Sequence, residues 1–536
     1  MGKRKSWHFD QTSPRAKTLL GMAGIVLLVC IVYLPVVNCG FVWDDDPNVT
    51  GNSNLLSWHG LSQTWTNPIA NQQYYPLTHT SFWIEYHLWE LEPLGYHIDN
   101  VLLHALGAVL LWFILQQLSL PGAWLAAAVW AIHPINVESV AWVTERKNTL
   151  SGVFYFSALL AYLRYAGIGD VKRAGSLKVY ALALMMFACA LLSKTATAML
   201  PVVVLIVLWW KKDRLTRRQV LSAAPFFAMS FAMGLVTTWR ESKAINAGGA
   251  HWTLPFAGKL IEAGESIAFY AGKLLCPTRM VYIYPRWRID PGDVRQYVYP
   301  LMAVALPVIL WTLRKKIGKA PVASILYFEV TLLPAIGFIN QYFTRYSYVQ
   351  DHFQYLAGIG VIALAAGLLT TLLRRAGRLG IAMQAIVLVT LAVLSVQQIP
   401  KYHDEETLWL DTVAKNPSAY IALSNLGRIA YYRGDSEEAT SYFIRAMKAD
   451  PSQAEPHCNL GVSLFDRGNR EEAFKEFRKA AQLDPMNIDA HNNLAMLYYY
   501  RGDGTNAWKE VKTCRKLGFE PDPTFLADLI LLKDEP

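Results

Sequence analysis

Three consecutive carboxylates, Asp44 to Asp46, directly follow an apolar run that is long enough to cross a bilayer. A carboxylate near apolar surroundings has a raised pKa and becomes a better general base. Such a group could take the proton from a hydroxyl or amide acceptor that attacks a carbon held at the membrane surface. The three residues could also form a solvated turn, since Asp before Pro is common in turns.

A second polar segment, HPINVESVAWVTERKN at 133–148, lies between two strongly apolar runs. It contains His133, Glu138, Arg146 and Lys147. Arg and Lys neutralise a phosphate leaving group, and Arg can bind one through two parallel hydrogen bonds. The segment therefore predicts an anion site, with anchoring of Arg and Lys at the membrane interface as the alternative.

Two later segments add cationic and titratable candidates. Lys194 lies in LLSKTATAMLP, and Arg345 and His352 lie in FTRYSYVQDHFQYLAG. Lys194 could contact a phosphate, or it could extend its ammonium group to the interface while its stem stays among apolar groups. All three residues are predicted to face the same side of the membrane as the acidic trio.

The composition indicates a polytopic membrane protein. Of 536 residues, 53% are hydrophobic and 17% are charged, whereas soluble domains contain about 25% charged residues. The formal charge of +9 is concentrated in short clusters between apolar runs, which indicates orientation in a lipid bilayer and not a surface for nucleic acid. The six cysteines show no CxxC pair or zinc spacing, so we expect them to be small core residues.

Eleven apolar segments in residues 1–398 are predicted to cross the membrane. If all basic loops face the cytoplasm, the N-terminus is a cytoplasmic signal anchor, and the 40–98 loop and everything after 397 face outward. The short basic loops favour a bacterial inner membrane, with the C-terminal domain in the periplasm. The predicted spans are 18–38, 100–118, 121–135, 149–165, 179–193, 195–210, 220–238, 297–313, 320–339, 355–373 and 380–397.

Three other segments of the membrane domain are predicted to be helices at the outer surface and not spans. LSWHGLSQTWTNP and PLTHTSFWIEYHLWEL, both in the 40–98 loop, are rich in aromatic residues and compatible with helices. Helices of this type lie flat at the interface and could cover a site at the membrane surface. The segment 259–275 is apolar but carries four charges, so we expect it to lie on the surface too.

Residues 399–536 have a different pattern, with a repeat of 34 residues. An Asn-Leu-Gly or Asn-Leu-Ala triplet begins at Asn425, Asn459 and Asn493. This is the period of the tetratricopeptide repeat (TPR), which is a pair of helices. Arrays of such pairs form solenoids with a concave surface, so the domain is predicted to bind a polypeptide. The predicted fold class is all-α: a polytopic membrane domain (1–398) followed by a TPR α-solenoid.

The motifs FVWDDDPNVTGN, GYHIDNVLLHAL and HPINVESVAW, followed by TPRs, resemble the transmembrane and TPR-containing O-mannosyltransferases of the endoplasmic reticulum and their bacterial relatives. That group is part of the GT-C superfamily of polytopic glycosyltransferases. The resemblance implies a polyprenyl-phosphate sugar donor in the bilayer and an acceptor outside the cytoplasm. It also implies that Asp44 and Asp45 correspond to the acidic pair of the family, with Asp44 as the general base.

The mechanism expected from this resemblance is one inverting displacement, in which a Ser or Thr hydroxyl of the acceptor protein attacks the anomeric carbon. The TPR domain is expected to recruit the acceptor. We expect the phosphate of the donor to contact five residues: Arg146, Lys147, Lys194, Arg345 and His352.

Further polar side chains are assigned supporting roles in this hypothesis. His97, His133 and Glu138 are expected to support the site through polar contacts. Adjacent carboxylates also suit Mg²⁺ or Mn²⁺, which prefer hard oxygen ligands. A divalent ion is therefore a candidate cofactor, with Asp45 and Glu138 as its expected ligands.

Two other classes of function remain alternatives at this point. A transporter predicts charged residues near the middle of its spans, whereas most polar groups here lie at outward-facing turns. A membrane-anchored TPR scaffold that assembles envelope proteins without catalysis needs only one span, so the other spans would be unexplained. The sequence therefore favours the glycosyltransferase, with the scaffold as the main alternative.

Overall fold

The computed structural model describes residues 13–169, 175–212, 214–244, 254–338 and 342–535. Within these ranges the chain forms 23 α-helices, joined by short 3-10 turns and irregular segments, and no β-strand. The predicted all-α fold class is confirmed. The basic N-terminal residues 1–12 and the basic loop at 170–174, which helped to predict the orientation, lie outside the described residues.

The chain divides into two compact units. The membrane unit extends to Met280 and continues over Arg286–Glu405. The TPR unit comprises Val281–Pro285 and the residues from Glu406 onward. The main part of the TPR unit therefore begins a few residues after the predicted boundary at 398/399. The short segment Val281–Pro285, which lies between two parts of the membrane unit in the sequence, also belongs to the TPR unit. The sequence pattern does not indicate this.

The membrane unit contains the first fifteen helices. The first helix, α1 (Pro14–Val32), begins with Pro14 in its first turn and with Ser13 as its cap, whose hydroxyl accepts a hydrogen bond from the Ala16 N–H (3.2 Å). The other helices are α2 (Trp58–Thr66), α3 (Pro76–Trp89), α4 (Pro93–Gln117), α5 (Ala123–Ala131), α6 (Val137–Ala141), α7 (Arg146–Tyr165), α8 (Leu177–Ser193), α9 (Leu200–Lys211), α10 (Arg217–Ala244), α11 (Phe256–Leu275), α12 (Val298–Ile317), α13 (Ala320–Leu332), α14 (Gly358–Leu373) and α15 (Gly377–Gln398).

The membrane character predicted from composition is confirmed by the helices of this unit. Some predicted spans form helices shorter than a bilayer crossing requires, such as α5 and α9. The predicted number of eleven spans stays a prediction. Five helical segments within the described residues are long and apolar enough to cross a membrane: Pro14–Asn38, Pro93–Gln117, Arg217–Arg240, Val294–Ile317 and Gly358–Tyr402, the last of which contains α14 and α15.

Both aromatic segments of the first loop are helical, as α2 and α3. One face of α3 carries Thr78 and Glu85, which are buried, and the opposite face carries Ile84 and Leu88, which are exposed. The hydroxyl of Thr78 donates to the carbonyl oxygen of Ser193 at the end of α8 (3.0 Å). α3 therefore covers the turn in which Lys194 follows α8.

The TPR unit contains three complete helix pairs, each joined by a tight turn. The glycine of each turn, Gly434, Gly468 or Gly502, has φ between +75° and +89°, a conformation that favours glycine. The helices are α16 (Glu405–Lys415), α17 (Tyr420–Tyr432), α18 (Ser436–Ala449), α19 (Ala454–Asp466), α20 (Arg470–Leu483), α21 (Ile488–Tyr500), α22 (Gly504–Lys516) and α23 (Pro523–Leu532).

A small residue faces a large residue inside each repeat, and the two change together along the array. A Cβ atom on Gly461 would lie 2.7 Å from Cε1 of Phe477, which is far inside van der Waals contact. In the next repeat, Ala495 takes the position of Gly461, and the smaller Val511 takes that of Phe477. The total side-chain volume at this point of the core is therefore similar in both repeats.

We predict that Gly461→Ala destabilises the second repeat, because overpacking a core costs about 1–3 kcal/mol. The double variant Gly461→Ala/Phe477→Val copies the third repeat and should be more stable than the sum of the two single changes implies. Hydrogen exchange over α19 and α20 in the full-length protein measures both effects. Simple additivity of the two changes would contradict the proposed packing.

Candidate functional site

Asp45 is fully buried, and its carboxylate joins two segments of the site through hydrogen bonds. Its Oδ2 accepts a hydrogen bond from the Val42 N–H (2.8 Å), and its Oδ1 accepts one from the Thr144 N–H (2.8 Å). The Thr144 hydroxyl also donates to Oδ1. Burial raises the pKa of Asp45 to about 7, although the hydrogen bonds from Thr144 and Val42 lower it. Asp45 therefore ties the first loop to the segment that precedes α7.

The other two carboxylates of the trio have different surroundings. Asp46 is exposed and accepts a hydrogen bond from the hydroxyl of Thr50 (2.7 Å), as expected of a solvated turn. Asp44 is half-buried, and no described residue donates a hydrogen bond to its carboxylate. Burial raises the pKa of Asp44, with the Lys147 cation lowering it and the Glu145 carboxylate raising it further. Of the three, Asp44 has the carboxylate that is available for chemistry.

The backbone of Trp43 determines how Asp44 is presented. Trp43 has φ of +43°, a left-handed conformation that is rare for a bulky residue and costs about 1–3 kcal/mol. Its ring is parallel to that of Trp142 (centroids 6.5 Å apart) and meets the ring of Tyr346 edge-on (5.8 Å). These aromatic contacts stabilise the unfavourable conformation immediately before Asp44.

Glu145 holds two lysines that are far apart in the sequence. Its Oε1 is 3.0 Å from Nζ of Lys147, and its Oε2 is 3.3 Å from Nζ of Lys194. Lys194 also donates to Oδ1 of Asn148 (2.8 Å). Burial by itself would raise the pKa of Glu145, but the neighbouring His352, Lys147 and Lys194 outweigh it and the pKa falls to about 2. Two ammonium groups therefore share one carboxylate, which leaves an excess positive charge close to Asp44.

His352 and Glu138 form a buried pair behind Glu145. Nδ1 of His352 is 2.7 Å from Oε1 of Glu138, and its Nε2 is 3.6 Å from Oε1 of Glu145. Burial lowers the pKa of His352 to about 3 and raises that of Glu138 well above its usual range. This pair therefore holds the imidazole of His352 between the carboxyl groups of Glu138 and Glu145.

Arg146 has a different environment from the neighbouring Lys147. It is 1% exposed, and its Nη2 lies 2.7 Å from Oε1 of Glu85. Its Nε donates to Oδ1 of Asn100 (2.6 Å), and Nη2 donates to the carbonyl oxygen of Tyr96 (2.8 Å). The guanidinium thus connects the start of α7 to α3 and α4 and fixes α3 above the site.

The remaining predicted residues lie at the edge of the site or in its supports. The guanidinium of Arg345 is 5.9 Å from the ring centroid of Tyr346, which contacts Trp43. Nε2 of His97 is 3.3 Å from the carbonyl oxygen of Gly40, and Nε2 of His133 is 3.1 Å from that of Leu274. Both histidines therefore make contacts that hold the backbone of neighbouring segments.

Two buried residues of α3 were not selected from the sequence. Glu85 pairs with Arg146, and burial raises the pKa of Glu85 to about 8 despite that cation. His79 is buried, and burial followed by the charge of Lys147 lowers its pKa to about 4. The spacing of Thr78 and Glu85 by seven residues, two helical turns, was the signal that one polar face of α3 points inward.

The predicted metal ligands do not converge on an ion site. Asp45 already accepts three hydrogen bonds, and Glu138 contacts His352. Within the described part of the chain, no group of three or more His, Cys, Asp or Glu side chains is arranged to hold a metal ion. A divalent ion stays a prediction, and the chemistry below uses no metal.

Comparisons with known proteins give matches to repeat families and to individual proteins. Residues 406–454 match a model described as "Tetratricopeptide repeat", and 462–502 match one described as "TPR repeat". The chain is 32% identical over 160 residues to "Protein O-mannosyl-transferase Tmtc1" of Drosophila melanogaster, which is 28% of this chain and 19% of that protein. It is 33% identical over 153 residues to "Protein O-mannosyl-transferase TMTC3" of Mus musculus, which is 27% and 17% of the two chains.

These matches confirm the resemblance drawn from the sequence motifs. "Protein O-mannosyl-transferase F38B6.6" of Caenorhabditis elegans is also similar, with 28% identity over 163 residues, 27% of this chain and 23% of that protein. In each case the matched region spans about a fifth of the length of the relative.

We predict that Asp45→Ala lowers the stability of the membrane unit, because it leaves the N–H groups of Val42 and Thr144 without their acceptor. An unsatisfied buried donor costs about 1–3 kcal/mol. Thermal unfolding of the purified protein in detergent measures the loss. The matched control Asp46→Ala removes an exposed carboxylate and should change stability by less than about 0.5 kcal/mol. Equal losses of stability in the two variants would show that the hydrogen bonds of Asp45 do not stabilise the membrane unit.

Proposed function

We propose that this chain is a membrane glycosyltransferase that moves a sugar from a polyprenyl-phosphate donor to a Ser or Thr hydroxyl of an extracytoplasmic protein. The observation that carries the proposal is the available carboxylate of Asp44 near Lys147, which shares the single carboxylate of Glu145 with Lys194. The names of the relatives, protein O-mannosyl-transferases, support a mannose-type sugar.

In the proposed reaction, Asp44 takes the proton of the acceptor hydroxyl as its oxygen attacks the anomeric carbon. A new carbon–oxygen bond forms on one face of the sugar while the bond to the phosphate breaks on the other, so the configuration inverts. Phosphate is already a good leaving group, so no general acid is required, unlike in the hydrolysis of glycosides. General-base assistance of this kind contributes about 10²–10⁴-fold.

Lys147 and Lys194 are the residues that we assign to the phosphate of the donor. Both ammonium groups are largely buried, where charge interactions are stronger than in water. Glu145 holds them in place before the substrate arrives, so little reorganisation is needed as negative charge develops on the leaving phosphate. Arg345, near Trp43, is a further candidate for phosphate contact.

Other predicted phosphate ligands are better explained as positioning residues. The guanidinium of Arg146 is used by Glu85, Asn100 and Tyr96, and it orients α3 over Lys147. His352 contacts the carboxyl groups of Glu138 and Glu145 and so helps to position Glu145, which pairs with the two lysines. Their contribution to catalysis is to maintain the geometry of the two lysines.

The TPR unit, which forms about the last quarter of the chain, also has a role in this proposal. Helix-pair solenoids bind polypeptides on their concave surface, and we propose that this one recruits the acceptor protein. The proposed orientation keeps the N-terminus in the cytoplasm and places Asp44 and the TPR unit outside it, in the periplasm if the membrane is a bacterial inner membrane.

We predict that Asp44→Asn lowers sugar transfer by about 10²–10⁴-fold, because an amide cannot accept the proton. The assay is transfer of radiolabelled mannose from polyprenyl-phosphate mannose to acceptor peptides in membranes. Asp46→Asn, the matched control at an exposed carboxylate, should keep full activity. If Asp44→Asn keeps its activity while protein levels are equal, Asp44 is not the base. If the wild-type protein transfers no sugar to any acceptor, the non-catalytic scaffold is favoured.

A second prediction concerns the dependence of the rate on pH. Asp44 must be ionised to act, and burial raises its pKa, so kcat/KM should rise with pH through a limb above the pKa of about 3.9 for a free aspartate. The Lys147 cation lowers the pKa of Asp44. Lys147→Gln should therefore move the limb to higher pH as well as weaken donor binding. Lys316→Gln, at an exposed lysine, should leave the limb unchanged, and an unshifted limb in Lys147→Gln would contradict the assignment.

A further inference from the structure

The helices that position the candidate site have their opposite ends in a second, distinct region of the membrane unit. α7 begins beside Lys147 and ends 20 residues later at Tyr165, a length of about 30 Å at the rise of an α-helix. Its far end lies near the end of α9, where Lys211 and Lys212 follow Trp210. We call this region the basic end, defined by Lys211, Lys212 and Lys319.

An apolar groove runs between the helices toward the basic end. It encloses a volume of about 60 Å³ and is partly open to the surface. Its lining is almost entirely apolar, and its few polar groups include Ser324 and Tyr327. Representative lining residues from five helices are Leu111, Phe156, Trp210, Ala323 and Ile359.

Three lysines lie near one end of this groove, and the ammonium group of each donates to a backbone carbonyl oxygen. Nζ of Lys211 donates to the carbonyl oxygen of Leu118, which itself lines the groove. Nζ of Lys212 donates to the carbonyl oxygen of Ala166 (2.9 Å), and Nζ of Lys319 donates to that of Lys212 (3.3 Å).

The charge of these lysines is only partly balanced. Carbonyl groups at helix ends carry partial charges, and no carboxylate of the described residues lies within ion-pair distance of Lys211 or Lys212. The segment 211–218, KKDRLTRR, contains five basic residues and one acidic residue. The basic end therefore keeps a net positive charge beside an apolar channel.

Aromatic rings surround the ammonium groups at the basic end. The rings of Trp209 and Trp311 are stacked with centroids 4.9 Å apart. The ammonium of Lys211 lies 4.1 Å from the centroid of Trp210, and that of Lys319 lies 5.6 Å from that of Trp209. Tryptophan collects at the level of lipid headgroups. The rings therefore mark the level at which a headgroup would meet the lysines.

We propose that the groove and the basic end together bind one anionic phospholipid. An acyl chain lies along the apolar lining, and the phosphate lies between Lys211, Lys212 and Lys319. Basic pockets between membrane helices bind anionic headgroups in this way. The alternative is that the three lysines only neutralise the partial charges at helix ends. That role would not require an apolar groove beside them. The lipid would hold α9 and α13 together at the end of the bundle opposite the candidate site.

The test is native mass spectrometry of the full-length protein in detergent with phosphatidylglycerol or phosphatidylcholine of identical chains. We expect at least ten-fold more bound phosphatidylglycerol, and a loss of that preference in Lys211→Gln/Lys319→Gln. The matched control Lys315→Gln/Lys316→Gln removes two exposed lysines of the same region and should keep the preference. Millimolar inorganic phosphate should not displace the lipid, because the acyl chain contributes to binding.

A second variant tests the groove without changing charge. Ser324→Phe should fill part of the groove and reduce retention of phosphatidylglycerol, with the lysines intact. The proposal is overturned if the wild type binds both lipids equally, or if inorganic phosphate displaces phosphatidylglycerol. It is also overturned if Lys315→Gln/Lys316→Gln loses the preference as much as Lys211→Gln/Lys319→Gln does, or if Ser324→Phe retains phosphatidylglycerol fully.

Discussion

The arrangement of the candidate site depends on the buried carboxylate of Glu145. A single ammonium group in a buried position is unfavourable unless it is paired, and here Lys147 and Lys194 are both stabilised by Glu145. The two lysines come from the start of α7 and the turn after α8, so one carboxylate brings two distant segments together. Removing one charged residue of such a group leaves an uncompensated buried charge. The resulting loss of stability is larger than the net stabilisation that the ion pair itself provides.

Around this cluster, separate interactions place the carboxylates and the covering helix. Asp45 is used for structure, because its hydrogen bonds to Val42 and Thr144 join two loops. Asp44, one residue earlier, is left available by the left-handed conformation of Trp43. Backbone strain of this kind is found at functional sites, where the surrounding packing maintains it. The pairing of Arg146 with Glu85 then fixes α3 above the lysines.

The membrane unit also has two ends with different chemistry. At the site, cations are paired with carboxylates and buried. At the basic end, Lys211, Lys212 and Lys319 contact helix-terminal carbonyls beside an apolar groove. The same helix, α7, has one end in each of these regions.

The sequence by itself determined the features that depend on local pattern. The 34-residue period identified the TPR unit, since each repeat folds from contacts within and between neighbouring repeats. Apolar runs and the aromatic loop segments predicted helices. These properties depend on residues that are close in sequence.

Only the tertiary structure decided which polar groups interact. Asp44, Asp45 and Asp46 have the same side chain, and their differing surroundings depend on Thr144 and on the conformation of Trp43. Adjacent Arg146 and Lys147 likewise have different partners. The physical reason is that a buried charge must find a partner wherever the backbone places one, and such partners are separated by tens or hundreds of residues along the chain.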